Sequence, residues 1–135
     1  MRFRQVRVRY TALLALPRLL GDPWSLAGIP TVARPEWRPP SDLFETDEEW
    51  VVKVEMAGLA EEDFEILLYE DRLIIKGYRP WSPARAEGRF HIAEIRHGPF
   101  EVEVPVLGPI QRENISAQYE RGMLRVSLPK LRDNQ

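Results

Sequence analysis

The sequence has no cysteine, and its apolar runs are short. With no cysteine among 135 residues, disulfides, thiol nucleophiles and cysteine metal sites are excluded. The longest apolar run, Ala12 to Leu16, is far shorter than the ~20 residues that span a bilayer, and it is too short for a signal-peptide core. These absences predict a soluble, non-secreted protein, and the lack of cysteine agrees with a reducing cytoplasm.

Residues that would support catalysis are also scarce. His91 and His97 are the only histidines; we interpret them as surface residues, with a metal or pH-sensing role as the alternative. The acidic clusters 47–49 and 61–63 lack the glycine and spacing of a calcium loop, so they indicate solvated turns. There is no glycine-rich phosphate loop. We therefore expect no catalytic residues, no cofactor and no metal, and a protein that is not an enzyme.

Charge is present in both signs, but it is divided along the chain. The net charge of −2 combines +5 in residues 1–40 with −7 in residues 41–135. An arginine-rich arm can bind nucleic acid or an anionic membrane, or it can pair with the acidic part of its own chain or of a neighbour. We favour the second interpretation, and expect no nucleic-acid partner and no membrane span.

Residues 1–36 form an arm rather than a domain. Val6, Val8 and Tyr10 alternate with arginines as in a strand, although an amphipathic helix over residues 4–16 fits equally well. Four prolines then exclude any long element. The arm is nevertheless richer in leucine and tryptophan than a solvated linker. The predicted domain boundaries are an arm over 1–36, a domain over 37–130 and a tail over 131–135.

From Trp37 onward the pattern is one of short strands and turns. The segment 37–46 predicts an irregular edge strand, because its prolines cannot donate to a neighbour. Trp50 to Met56 alternate as a strand with one buried face, and residues 64–77 predict a hairpin that Gly77 ends. The loop Arg79 to Gly88 is long for a hairpin, which marks it as a candidate functional loop.

The second half of the domain continues the pattern. Phe90 to Glu94 and Phe100 to Val106 predict two strands around a turn at residues 96–99. A last hairpin bends at Glu120-Arg121-Gly122 and ends at Pro129, which has no N–H for a ladder. Seven or eight short strands without helical periodicity predict an all-β, antiparallel sandwich.

The literal sequence resembles a known family. The closing stretch AQYERGMLRVSLPK (117–130) is similar to the closing signature of the α-crystallin domain, the core of the small heat-shock proteins. PSDLFETD (40–47), VEMAGL (54–59), EDFEI (62–66) and DRLIIKG (71–77) resemble the family's entry strand and central hairpin in order and spacing. The resemblance covers Trp37 to Lys130. It implies an immunoglobulin-like β-sandwich, here with a flexible, partly helical N-terminal arm.

Three features depart from that family's pattern. Ala57 stands where a proline usually precedes the glycine, and Val102 stands where many relatives carry an arginine implicated in dimer contacts. Residues 131–135 contain no Ile-x-Ile or Ile-x-Val motif of the kind that docks on a neighbouring subunit. Val6 and Val8 have the same branched-x-branched spacing, so we consider them as a substitute groove-docking motif.

The resemblance implies an ATP-independent holdase, which binds partly unfolded client proteins and prevents their aggregation under heat or other stress. It also implies self-association into a dimer or a larger oligomer. The residues assigned on this basis are the client-binding arm (Leu13, Leu14, Leu16, Leu19, Leu20, Trp24, Leu26), an edge groove (Ile66, Leu68, Ile115, Ala117) and a dimer contact (Trp37, Phe90, Ile92).

The arm and groove residues also have purely structural interpretations. Two other functions are alternatives to the holdase. The arm residues could pack between subunits, and the groove residues could be ordinary core. A co-chaperone of the CS-domain type would share the sandwich but would act as a monomer on one defined partner. A nucleic-acid-binding module would use the arginine-rich arm, and its binding would depend strongly on salt.

Overall fold

Segments of alternating apolar and polar residues form β-strands from one end of the domain to the other. The computed structural model describes residues 4–5, 8–10, 37–81 and 87–132. These residues contain short 3-10 helices at Glu61–Asp63 and Arg112–Asn114. The strands are β1 (Arg4–Gln5), β2 (Val8–Tyr10), β3 (Ser41–Glu45), β4 (Glu49–Glu55), β5 (Phe64–Leu68), β6 (Arg72–Arg79), β7 (Gly98–Pro105), β8 (Ser116–Glu120) and β9 (Met123–Pro129).

The strands form two packed sheets. One sheet has the order β1-β8-β9-β4-β3 and the other has the order β2-β5-β6-β7. All neighbouring pairs are antiparallel except β2 and β5, which are parallel. This confirms the predicted antiparallel sandwich.

The core lies between the sheets, where the inward residues of each strand meet. Val52, Val54 and Met56 of the β4 segment have no exposed surface, as the predicted buried face requires. Val54 lies opposite Leu124 in the register of β4 with β9. Val102 is also fully buried, so the position that departs from the family's arginine is filled by a core side chain. The remaining fully buried large residues are Ile66, Leu68, Leu73, Ile75, Phe100, Leu124, Val126 and Leu128.

The last hairpin has the predicted bend. Arg121 and Gly122 both have positive φ, 52° and 79°, between the end of β8 and the start of β9. A two-residue connection with both residues in this region is the type I′ turn, whose twist matches that of the flanking strands. Glycine is favoured at position 122 because a φ of 79° strains an L side chain, and because a Cβ there would lie 3.0 Å from the Cα of Ala57.

The prediction that Gly77 ends its strand is wrong. Strand β6 continues through Gly77 to Arg79, and Gly77 lies opposite Phe64. A Cβ at Gly77 would overlap the carbonyl oxygen of Asp63 and would lie 2.8 Å from the Cα of Phe64. The glycine therefore marks a close backbone approach inside the strand, a role that a sequence pattern does not distinguish from a strand end.

The prediction of a strand over Phe90 to Glu94 is also wrong. Residues 87–97 contain no strand, and Gly98, assigned to the turn, begins β7. A strand needs a sheet edge with free hydrogen-bonding groups. At the start of β7 that edge is taken by Trp37, whose carbonyl oxygen accepts a hydrogen bond from the N–H of Glu101.

The described part of the arm is extended. Val8 to Tyr10 form a strand, as their alternation with arginine predicts, and Arg4–Gln5 form another. Residues 6–7 and 11–36 lie outside the described residues, and so does most of the alternative helix over 4–16. The boundaries of arm, domain and tail remain predictions.

Candidate functional site

One side of the sandwich is formed by the edges of β5 and β8, where the predicted groove lies. Phe64 of β5 and Tyr119 of β8 join the two sheets, with ring centroids 5.4 Å apart. The hydroxyl of Tyr119 donates a hydrogen bond to the carbonyl oxygen of Met56 and accepts one from the N–H of Leu59 at 3.4 Å. The two edges are therefore held together by an aromatic contact and by a tyrosine fixed to the backbone.

The four predicted groove residues lie together at this side, but three of them are core. Ile66, Leu68 and Ala117 are almost fully buried, whereas Ile115 is half-buried and packs against the core. They form the floor of the groove rather than an exposed surface. Contacts with a docked segment would come mainly from the strand edges, through backbone hydrogen bonds.

Two short strands of the arm occupy these edges. Strand β2 runs parallel to β5, with Val8 opposite Ile66, and Val8 is half-buried against the core. Strand β1 pairs antiparallel with β8. Val6, the other residue of the predicted docking motif, lies outside the described residues.

The opposite side of the molecule exposes a loop rich in apolar side chains, residues 87–97. Phe90, Ile92 and Ile95 are 60%, 77% and 74% exposed. The ring of Phe90 lies 5.9 Å from the ring of Trp81, which is also exposed. Two of the three predicted dimer residues, Phe90 and Ile92, are thus on the surface, and Trp81 and Ile95 are further exposed apolar residues that the sequence analysis did not assign.

Strand β3 presents a free sheet edge. It pairs with β4 on one side, and none of the described residues forms a strand on its other side. Phe44 of β3 is 64% exposed. An edge strand with free backbone groups and an exposed aromatic side chain is suited to strand addition.

Trp37, the third predicted dimer residue, is half-buried and belongs to a cluster that holds the loop. Its Nε1 donates a hydrogen bond to the carbonyl oxygen of Gly98 at 3.2 Å, and its ring centroid lies 5.5 Å from that of Phe100. The guanidinium carbon of Arg79 lies 4.3 Å from the centroid of the Trp37 ring. This distance permits a cation–π interaction.

Arg79 connects three segments of the chain. Its Nε and Nη2 donate hydrogen bonds to the carbonyl oxygen of Arg96 at 2.9 and 2.6 Å, and its Nη1 donates to that of Ala57 at 3.2 Å. A cleft of about 570 Å³ lies beside this cluster, lined in part by Arg38, Glu94 and Arg96. The sequence predicts Arg79 only as the start of a long loop, since no local pattern encodes contacts between residues so far apart.

The histidines and the acidic run that the sequence singles out form no site among the described residues. His91 is exposed and His97 is half-buried. The acidic run 61–63 forms a 3-10 helix, and Asp63 accepts a hydrogen bond from the N–H of Ala60 at 2.7 Å. Within ranges 4–5, 8–10, 37–81 and 87–132, no three histidine or acidic side chains are grouped so as to hold a metal ion. Helices long and apolar enough to cross a bilayer are likewise missing from those ranges.

The predicted client-binding residues are not among those that the structure describes. Leu13, Leu14, Leu16, Leu19, Leu20, Trp24 and Leu26 all lie within residues 11–36. Their assignment rests on the sequence.

Known proteins are similar to this chain over most of its length. The model of the Hsp20/alpha crystallin family matches residues 42–135. Spore protein SP21 of Stigmatella aurantiaca is 29% identical over 113 residues, covering 81% of this chain and 67% of that protein. Small heat shock protein C2 of Rickettsia felis is 28% identical over 92 residues, covering 68% of this chain but only 60% of its own length.

Solved structures show the same fold. Heat shock protein 16.0 from Schizosaccharomyces pombe superposes with a TM-score of 0.67 at 28% identity, over 74% of this chain and 93% of that one. HSP18.5 from E. histolytica superposes with a TM-score of 0.62 at 29% identity, over 72% and 91% of the two chains.

Proposed function

The chain belongs to the Hsp20/alpha crystallin family, and from this premise we propose that it is an ATP-independent holdase that binds partly unfolded proteins and keeps them from aggregating. Family membership supports a chaperone role. The observation that supports the finer proposal is the N-terminal arm, which is richer in leucine and tryptophan than a solvated linker. We propose that it works in the cytoplasm.

The physical basis is the affinity of exposed apolar surface for other apolar surface. Partly unfolded chains expose side chains that are normally in the core, and covering them contributes roughly 25 cal/mol per Å². A holdase needs no chemical step, since occupying that surface is enough to slow aggregation. Adaptable leucine-rich and tryptophan-rich segments bind many such surfaces, whereas a rigid pocket would select one.

The arm supplies the proposed client contacts. Its sequence offers such side chains in a segment whose four prolines predict no long regular element, and the alternative is that they pack between subunits. Both roles are compatible if subunits separate on heating. The proposed residues are Leu13, Leu14, Leu16, Leu19, Leu20, Trp24 and Leu26.

The edges of β5 and β8 supply a second proposed contact surface. Because Ile66, Leu68 and Ala117 are buried, a client segment here would bind by strand addition rather than by side-chain insertion, and it would have to displace β1 and β2 from the two edges. Ile115 is the one predicted groove residue that remains partly accessible.

The self-association that we propose uses the other side of the molecule. In this arrangement loop 87–97 of one copy pairs with the free edge of β3 in a second copy, and Phe90 and Ile92 become buried. The exposed side chains of Phe90 and Ile92 and the free edge of β3 support this pairing. Trp37 would act indirectly, by fixing the base of the loop through Gly98.

The function is tested by light scattering of a heat-labile client without nucleotide. The full chain at a near-stoichiometric ratio is expected to suppress the increase in scattering. A variant with Leu13, Leu16, Leu19 and Leu20 changed to serine is expected to lose most of this protection, whereas a variant with Lys53 and Arg125 changed to serine, on the exposed face of the sheet, keeps it. No protection by the full chain would contradict the holdase; equal protection by both variants would contradict the role of the arm.

A further inference from the structure

The cleft beside Arg79 is lined by exposed side chains of both charges. Arg38 and Arg96 line it on the cationic side of the balance, and Glu55 and Glu94 line it on the anionic side. Among the residues that the structure describes, none of these four side chains has an ion-pair partner. A single copy of the chain therefore presents cations and anions at one cleft without pairing them.

The backbone that carries these charges is fixed. The N–H of Glu55 donates a hydrogen bond to the carbonyl oxygen of Pro40 at 3.0 Å. The carbonyl oxygen of Arg96 accepts two hydrogen bonds from the guanidinium of Arg79. The charges thus start from constant positions, and a preorganised surface loses less free energy when it orders against a partner.

The cleft lies where the two elements of the proposed self-association meet. Pro40, which lines the cleft, directly precedes β3, and residues 94–96, which also line it, are close to the end of loop 87–97. Every neighbouring pair in the sheet of β3 is antiparallel. If the loop of a second copy adds to β3 in the same sense, with residues 90–92 beside the strand, residues 94–96 arrive at the beginning of β3. Arg38 lies three residues before that beginning.

We propose that this cleft is the surface by which one copy of the chain selects another, with Arg38 of each copy paired with Glu94 of the other. Arg96 and Glu55 form the second pair in the same way. The partner is a second copy because the set is self-complementary: in a two-fold contact each pair occurs twice, so the cations of one copy meet the anions of the other.

The charges decide the partner rather than the strength of the contact alone. A chain that presents only one sign of charge at this surface would meet like charges, and such juxtapositions exclude a wrong partner. The proposal rests on the self-association proposed above, and it adds the side chains that make the association selective.

Reversing the charge at one position of the main pair tests the proposal. A copy with Arg38→Glu has two acidic side chains at positions 38 and 94, and a copy with Glu94→Arg has two basic ones. Each variant alone repels a second copy of itself, whereas a mixture of the two restores both attractions. We expect each variant alone to dimerise about tenfold more weakly than the parent chain, and the mixture to form mixed dimers in large excess. Native mass spectrometry measures the three dimers, with one variant ¹⁵N-labelled and the subunits exchanged by warming and cooling.

Matched controls make the same changes of charge outside the cleft. Lys53→Glu and Glu113→Arg are at exposed positions that do not line it. Their mixture is expected to give the statistical proportion of the three dimers. The excess of mixed dimers from the cleft variants should shrink at high salt, because exposed charges are screened.

The double variant Arg38→Glu/Glu94→Arg provides a second measurement that does not depend on weakened dimers. It restores an attractive pair within its own dimer, so it should self-associate like the parent chain and form few mixed dimers with it. Statistical mixing of the two single variants, or free mixing of the double variant with the parent chain, overturns the proposal and leaves the contact of the loop with β3 in place. A parent chain that stays monomeric overturns the proposed self-association as well.

Discussion

Arg79 and Trp37 are stacked at the base of the exposed loop, with the guanidinium carbon 4.3 Å from the ring centroid. The same guanidinium donates two hydrogen bonds to the carbonyl oxygen of Arg96, and the indole donates one to that of Gly98. The end of loop 87–97 is thus fixed by two side chains from distant parts of the sequence. Its apolar residues are presented at a defined place rather than dispersed.

Changing Arg79 to alanine is expected to release the loop. The charged hydrogen bonds and the cation–π contact together predict a loss of about 1–2 kcal/mol in the free energy of unfolding, measured by urea denaturation. Trypsin is expected to cleave faster at Arg89 and Arg96. Arg79→Lys retains the charge but not the paired donors, so it should recover only part of the loss. Unchanged cleavage in Arg79→Ala would show that the loop is held by other contacts.

Changing Gly122 to alanine is expected to destabilise the last hairpin. Gly122 has φ of 79°, and a Cβ there would lie 3.0 Å from the Cα of Ala57. Strain of this kind costs about 1–3 kcal/mol, measured as a lower midpoint of thermal or urea unfolding. Gly108→Ala is the matched control, since its nearest neighbour would be Trp50 at an ordinary 3.6 Å. Equal effects at both glycines would contradict the argument from backbone conformation.

Local patterns in the sequence were enough to predict the β-sandwich. The alternation of Val52, Val54 and Met56 reports one buried face because side chains along a strand point to opposite sides. The glycine after Arg121 identified the turn because few other residues adopt its conformation. These signals are local, so they can be interpreted without knowing which strand pairs with which.

Features that depend on a partner were not predictable. Phe90 and Ile92 alternate like a strand, but an alternating segment forms a strand only where a free edge is available. Gly77 resembles a strand end because the close approach of Phe64 is invisible in the sequence. The stacking of Arg79 on Trp37 joins positions 42 residues apart, and no motif encodes such a contact.

Changing Arg72 to alanine is expected to lower the free energy of unfolding, although Arg72 is a charged residue. Its side chain is on the outward face of β6, yet the residue is only 5% exposed. It is paired with Glu103 at 2.9 Å and Asp71 at 3.1 Å, and it lies 4.2 Å from the centre of the Tyr69 ring. Because its aliphatic stem is buried as well, Arg72→Ala is expected to cost about 2 kcal/mol, more than a surface ion pair contributes.

The control for this prediction is Lys76, which lies on the same strand and forms a more exposed ion pair. Its Nζ lies 3.9 Å from Glu65, and Lys76→Ala is expected to cost less than about 1 kcal/mol. Urea unfolding of both variants at low and high salt makes the comparison. The cost of Arg72→Ala should change little with salt, since buried charges are poorly screened. Equal losses in the two variants would contradict a special role for burial.

Changing Ile92 to aspartate is expected to weaken the proposed dimer without unfolding the domain. The side chain is 77% exposed in a single copy, so the free energy of unfolding of the isolated domain should change by less than about 0.5 kcal/mol. In the dimer that we propose, the same side chain is buried beside the partner's β3. A carboxylate there lacks both water and a charged partner, and dimerisation should weaken at least tenfold.

Leu107→Asp separates this explanation from a general effect of added charge. Leu107 is also exposed, but it follows β7 and is not part of loop 87–97. Light scattering over a dilution series should therefore show earlier dissociation for Ile92→Asp and a normal profile for Leu107→Asp. If both variants dissociate alike, net charge rather than the loop controls assembly. If neither does, the loop is not the dimer contact.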